Sequence, residues 1–376
     1  MNLTDRSKST LAGKRLLVTG AAGFIGGALL QRLAGYGLDV TGTVQFEAER
    51  DLLRRKGYRA EILDLASDAP WDEFLRGIDV VFSVAAKFNE TEASDAEYVR
   101  VNHHGALKLA VTAARAGCER FVHVSTVGVH GSVKEFPARE TSPYNPMDRY
   151  HRTKLAGELA ILDFARTLPS EGMVVTINRP AMVYGPGDMR QLKLFKAILS
   201  RRFAMVGSGK VWAHYGYIED QVDSLLLGAI APRRAAHCEA FNIASGKPIQ
   251  LNQLVAMIAR VGGVSVPGLH VPLAPVMAAA VLTEVICRPF GVRPPLSRRR
   301  VGFFTHNRGF DLRKAEERLG YASSWPLKVG IVETIRWYRD RGLVPSARLA
   351  ERDEPSPVAG EYDRAPTIEP TAAADD

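Results

Sequence analysis

The sequence predicts an α/β protein built on a doubly wound parallel sheet and completed by a smaller C-terminal lobe. Over the first 180 residues, short β-branched runs alternate with longer helical patterns, the signature of βαβ units. The runs are almost wholly apolar, as strands covered on both faces should be. A glycine-rich segment, Thr19 to Gly26, joins the first run to the first helical pattern.

Taken in order, strands are expected at Arg15 to Thr19, Asp39 to Val44, Val80 to Ala85, Arg120 to Ser125 and Met173 to Asn178, with a further strand-like stretch ending in Ile62 to Leu65. Helices are expected from Phe24 to Ala34, closed by Gly35 and Gly37, and from Val101 to Ala116, closed by Gly117. After Arg179-Pro180 the pattern loosens into a turn at Gly185 to Asp188 and a short amphipathic helix, Leu192 to Ser200. Val211 to Ile230 and Ala240 to Ala244 read as a return to the sheet, and Leu251 to Val261 and Val329 to Trp337 as helices. Residues 12–180 and 211–244 are thus assigned to the sheet domain and 181–210 and 245–345 to the second lobe. Residues 346–376, rich in Pro, Glu, Ala and Asp without periodicity, read as a disordered acidic tail.

A length of 376 residues with 46% hydrophobic and 24% charged excludes a small stapled scaffold. The net charge of +8 is unevenly placed: Glu351 to Asp376 hold eight acidic and two basic residues, which leaves +14 on the rest. Such a field suits acidic small molecules, nucleic acid or an anionic membrane. The basic residues are scattered without aromatic interleaving, so no nucleic acid is expected. Three cysteines without a CxxC exclude a disulfide framework and a zinc knuckle, and with no signal-peptide pattern they point to the cytoplasm. No HExxH and no GxSxG occurs, so neither a metal site nor a hydrolase elbow is expected. The longest apolar window, Val271 to Cys287, is 17 residues interrupted by Pro272, Pro275, Thr283 and Glu284, short of the roughly 20 a span needs. Followed by Arg288, Arg293 and Arg298 to Arg300, it reads as a core helix with a solvated basic rim, an apolar substrate wall, or a peripheral membrane contact through residues 271–300.

Gly20, Gly23 and Gly26 lie where a strand turns into a helix, so the backbone can approach a pyrophosphate whose charge the helix N-terminus stabilises. Their GxxGxxG spacing is one residue wider at the first gap than the common dinucleotide fingerprint. Gln45 stands where an acid would clasp the adenosine ribose, while Arg50, Arg54 and Arg55 suit a 2′-phosphate, so NAD and NADP both stay open, NAD placed first. Asp64 is read either as an adenine contact or as a solvated loop carboxylate. Tyr150 and Lys154 form a YxxxK at the start of a helical pattern, one turn apart on one face. A cation beside a phenol favours its ionised form and would tune it for proton transfer.

Together these motifs make the chain resemble an extended short-chain dehydrogenase/reductase, the epimerase/dehydratase superfamily, nearest its 3β-hydroxysteroid dehydrogenase-like branch. The likeness covers about residues 12 to 345 and rests on TGAAGFIG from Thr19, DVVFSVAA from Asp79, Asn102, STVGVHG from Ser125, Tyr150 with Lys154, and RPAMVYGPGD from Arg179. It implies a Rossmann-type fold with a C-terminal substrate-binding lobe. It implies Tyr150 as acid/base, Lys154 on the nicotinamide ribose lowering the phenol's pKa, and Thr126, with Ser125 as alternative, holding the substrate oxygen. The cofactor residues it implies are Gly20, Ala22, Gly23, Phe24, Ile25, Gly26, Gln45, Asp64, Leu65, Ala85, Ala86, Lys87, Asn102, Tyr150, Lys154 and Pro180, with Asn102 structural or in a supporting role.

Where dehydratases of the superfamily carry an Asp-Glu pair this chain has Val127 and Gly128, which cannot move a proton, so a 4,6-dehydratase is not expected. Ser83 replaces a frequent His and His130 a frequent Tyr, both expected to reshape the substrate side. The resulting expectation is an NAD(P)-dependent oxidoreductase working at a secondary alcohol or ketone of a sterol-like or nucleotide-sugar substrate, as a homodimer. The alternatives are a nucleotide-sugar epimerase with retained NAD and a non-catalytic dinucleotide-binding protein.

Overall fold

The computed structural model describes residues 2–88, 93–265, 268–290, 292 and 294–345. The expected acidic tail, 346–376, lies outside the described residues. Seven strands form the central sheet: β1 (Arg15–Thr19), β2 (Asp39–Val44), β3 (Arg59–Ile62), β4 (Val80–Ser83), β5 (Arg120–Val124), β6 (Val174–Pro180) and β7 (Glu239–Ile243). Their order is β7-β6-β5-β4-β1-β2-β3, and every pairing is parallel. Chain order reverses between β1 and β4, and the crevice at the carboxyl ends of these two strands is where such sheets take ligands.

The apolar runs cover both faces because side chains alternate along a strand. Leu16, Val18, Val80, Phe82, Val122 and Val124 pack on one face with Leu29 and Leu30 of the Phe24–Gly35 helix and Val222 and Leu225 of the Ile218–Ile230 helix. Leu17, Val81 and Phe121 face the other way, onto Leu109 and Ile161. Each such buried side chain contributes about 1.5–3 kcal/mol of transfer free energy. A third cluster holds the second lobe, where Tyr184, Phe195, Ile198, Leu254, Ile258 and Ile335 meet from well-separated segments.

Three expectations are corrected. Val211 to Ile230 does not return to the sheet: Trp212–Ala213 pairs with Ile249–Gln250, Tyr215–Tyr217 pairs with Met182–Tyr184, and Ile218–Ile230 is a helix lying on the sheet. Its Val222, Leu225, Leu226 and Ala229 pack on the sheet, and residues on its other sides are buried as well. The expected Val101 helix opens as a π-helical turn, Arg100–Gly105, before the α-helix Ala106–Arg115. The Val271 to Cys287 window is not a core helix: in the Leu273–Cys287 helix only Ala280 is buried. No helix among the described residues is long and apolar enough to cross a membrane.

Gly26 is required by close approach, since a Cβ there would sit 2.2 Å from the Gly20 carbonyl oxygen. Gly26→Ala should therefore lose about 1–3 kcal/mol of stability through forced backbone movement. Gly35→Ala, where a Cβ meets nothing within 4 Å, should be neutral or slightly stabilising. Urea denaturation of the two variants side by side checks this.

Candidate active site

The loop after β1 is drawn against the loop after β4. Thr19 Oγ1 accepts hydrogen bonds from the backbone N–H groups of Val84 at 3.0 Å and Ala85 at 3.1 Å. Gly20, at φ +67°, lies so close that a Cβ would come within 2.8 Å of Ala85 Cα. Gly23 is the N-cap of the 12-residue helix Phe24–Gly35 and is exposed, so the unpaired N–H groups of the first turn, with Ala22 beside them, open onto the crevice. This is a cradle built for an anion, and its shape fits a dinucleotide pyrophosphate.

At the far end of β2 and β3, Gln45 and Asp64 come together, with Nε2 3.5 Å from Oδ1. Asp64 Oδ1 also accepts from the Ala66 N–H at 2.9 Å, and Leu65 between them is buried. Two of the three nearby cations are engaged: Arg50 pairs with Asp51 at 3.0 Å, and Arg54 pairs with Glu61 at 2.8 Å and donates to the Ala60 carbonyl.

Tyr150 sits in the first turn of the Arg149–Arg166 helix, which Asp148 caps by accepting from the His151 N–H. Its ring meets Phe88 edge-on at 4.7 Å. The Arg190 guanidinium lies 6.0 Å from the Phe88 ring and 5.0 Å from that of Phe24. The row Tyr150, Phe88, Arg190, Phe24 thus links the phenol to the mouth of the glycine loop. Arg190 is held by Asp188 at 2.8 Å and by the Val183 carbonyl. Neither Phe88 nor Arg190 was singled out from the sequence; Arg190's place two residues after the GPGD turn is the one signal that could have found it.

One turn on, Lys154 is buried with its ammonium 3.2 Å from His123 Nε2. His123 Nδ1 lies 3.1 Å from Ser83 Oγ, also buried. An ammonium has only donors, so His123 accepts at Nε2 and donates from Nδ1 to Ser83. Burial, reinforced by the neighbouring Lys154 charge, holds His123 well below the ordinary imidazole range, consistent with that neutral tautomer. Burial lowers Lys154 to about 7, with Glu158 opposing. It pushes the Tyr150 phenol up to about 12, and the cation opposing that rise is Arg190. The expected lowering of the phenol by Lys154 is therefore not what this arrangement produces: Lys154 is turned to His123 and is half discharged near neutrality. A lone His in an otherwise apolar strand was the one sequence signal for this buried relay.

Thr126 follows β5 as the N-cap of a short 3-10 turn, Val127–His130, and its Oγ1 accepts from the Gly128 N–H at 3.0 Å. One lone pair being used by backbone, its own O–H is left to donate. Ser125 differs: it is 1% exposed and its Oγ has no hydrogen-bond partner. Val127 is buried, and a Cβ on Gly128 would strike the His151 ring, so a larger residue there would displace that ring.

Asn102 is a brace. Its Oδ1 accepts from the Lys87 N–H at 2.8 Å, and its Nδ2 donates to the Lys87 carbonyl at 3.0 Å and to Thr153 Oγ1 at 3.1 Å. It ties the loop carrying Ala85, Ala86 and Lys87 to the Tyr150 helix and uses both of its amide N–H donors in doing so. Pro180 ends β6, buried opposite Ile243. Ser83 and His130, expected to reshape the substrate side, are both buried; His130 Nε2 lies 3.1 Å from Arg179, which pairs with Glu158 and donates to Tyr144 at 2.7 Å. Removing the charge in Glu158→Gln leaves a buried guanidinium uncompensated and should cost about 3–5 kcal/mol, read as a lowered denaturation midpoint.

The model of the NAD dependent epimerase/dehydratase family matches residues 16–244. The chain is 24% identical over 326 residues to N-acetyl-alpha-D-glucosaminyl-diphospho-ditrans,octacis-undecaprenol 4-epimerase of Escherichia coli O157:H7, covering 86% of this chain and 94% of that protein. It is 29% identical over 280 residues to 3beta-hydroxysteroid-dehydrogenase/decarboxylase isoform 1 of Arabidopsis thaliana, covering 69% of this chain and 62% of that protein. Among solved structures, MoeE5 in complex with UDP-glucose and NAD is similar with a TM-score of 0.65 at 25% identity, covering 87% of this chain and 99% of that one. The family model spans more than half of the chain, and the chain belongs to the NAD dependent epimerase/dehydratase family, among the extended short-chain dehydrogenases/reductases.

Proposed function

We propose that this protein is an NAD-dependent oxidoreductase that works at a carbon bearing a secondary alcohol or ketone. The observation that carries the reading is the row from Tyr150 through Phe88 and Arg190 to Phe24, which joins a proton-transfer group to the dinucleotide cradle. The bound nicotinamide supplies or accepts the hydride. Tyr150 moves the hydroxyl proton, and Thr126 donates to the substrate oxygen and so stabilises developing alkoxide. Lys154, held on His123, backs the Tyr150 helix, and Arg190 would supply positive charge beside the glycine cradle. NAD is favoured over NADP because Arg50 and Arg54 are committed to carboxylates and Gln45 offers a neutral amide to the 2′-hydroxyl.

A second reading is an epimerase that oxidises one carbon transiently and returns hydride to the opposite face, supported by the likeness to the undecaprenol-linked sugar epimerase. Mass spectrometry of small molecules that copurify, followed by assay for NADH release, tests both. Release of NADH with a sterol-like alcohol supports net oxidation. Tightly retained NAD with isomerisation of a UDP-sugar and no NADH would overturn it in favour of the epimerase. The reading includes a homodimer, which light scattering of the purified protein checks, working in the cytoplasm, which fractionation of cells checks.

A further inference from the structure

We infer that the Leu273–Cys287 helix and the arginine-rich segment behind it form a docking surface for an anionic lipid bilayer. Val281, Leu282, Val285 and Ile286 fall at positions one turn apart and make one continuous face. Leu282 is 59% exposed, Val285 62%, Ile286 54% and, just beyond, Phe290 77%. A contiguous apolar patch of this kind on a folded surface marks an interaction site. The 15-residue helix is too short to span a bilayer and suits lying along it.

The charge beside this face names the partner. From Val285 to Phe310 there are six arginines and no Asp or Glu. Thr283 donates to the Leu296 carbonyl at 2.6 Å, and Glu284 accepts from the Arg298 backbone N–H at 2.8 Å and from its Nε at 2.7 Å. These bonds clamp the basic segment alongside the helix through its half-buried side, where Arg298 and Arg300 are exposed. Glu284, the helix's one acid, is thereby paired with Arg298, and the positive surplus rests on the other arginines of the segment. A second copy of the chain on this face would bring two arginine-rich segments together and be repelled, whereas acidic headgroups above an acyl layer match both features.

The surface belongs to the second lobe: His270–Val271 pairs with Met205–Val206, and Phe304 lies 6.3 Å from Phe203. If the reading under Proposed function holds, a lobe held at the bilayer receives an apolar, lipid-borne alcohol or ketone. The docking itself needs no turnover, so its test separates the two ideas.

The full chain is mixed with phosphatidylcholine vesicles with and without phosphatidylglycerol, and binding is read by flotation. Wild type should bind the anionic vesicles at least ~10-fold better than the neutral ones and be released by salt. Leu282→Ser/Val285→Ser/Ile286→Ser and, separately, Arg300→Glu should each lose binding by roughly tenfold or more while keeping the wild-type melting temperature and NAD affinity. Equal binding by the triple variant, or no binding by wild type, overturns the proposal. So does conversion of a wild-type dimer to a monomer by the triple variant without any vesicle binding, which would make this face a self-interface.

Discussion

Tyr150→Phe should lower turnover by about 10²–10⁴-fold and leave NAD binding nearly unchanged. The phenol oxygen is the group placed to exchange a proton with the substrate hydroxyl, whereas the ring, which touches Phe88 edge-on, is kept in the variant. Steady-state kinetics with fluorescence titration of NAD separates the two effects. Loss of NAD affinity alone would mean that the hydroxyl holds the cofactor and does no chemistry.

Lys154→Met should abolish turnover and, unlike an ordinary core lesion, change the pH dependence of stability. Burial lowers Lys154 from its ordinary 10.5 to about 7. Between these values the unfolded chain holds one more proton than the folded one, so wild-type stability rises with pH by about 1.4 kcal/mol per pH unit from this group. Below pH about 7 the folded state carries the full cost of a buried ammonium. Met removes the slope. Its loss of the His123 contact costs about 1–3 kcal/mol at every pH, so the slope and not the offset is diagnostic. Relative to wild type, the variant should gain roughly 2–3 kcal/mol as pH falls from about 9 to about 7, measured by urea denaturation. Parallel curves for the two proteins would place Lys154 in solvent.

What was legible in the sequence was what local spacing encodes. The glycines of the β1 loop and the four-residue step from Tyr150 to Lys154 are short-range patterns whose geometry follows from the turn and the helix themselves. All seven sheet strands were readable, five as runs buried on both faces, β3 as a strand-like stretch and β7 as the return to the sheet at Ala240 to Ala244. The Ile218–Ile230 helix was not, since it is buried around much of its circumference and its period is blurred. The relay from Lys154 through His123 to Ser83 joins residues 31 and 40 apart in the chain, so nothing in the neighbourhood of any one of them announces the others. Phe88 and Arg190 meet for the same reason only after the lobes fold. Asn102 was visible as a motif residue, but only its three hydrogen bonds show that it braces the Lys87 loop. The Leu273–Cys287 helix reads as core by composition. Its exposure depends on what the rest of the chain leaves uncovered, and no local pattern encodes that.

The central claim is hydride transfer at a nicotinamide with Tyr150 moving the proton. NADH carrying deuterium at C4 of the nicotinamide is incubated with a panel of sterol-like and sugar ketones, and products are read by mass spectrometry. Wild type should deliver one deuterium to the new carbinol carbon of a panel member, and Tyr150→Phe should deliver almost none. Equal deuterium transfer by both proteins, or none by wild type while it binds NADH, would contradict the account.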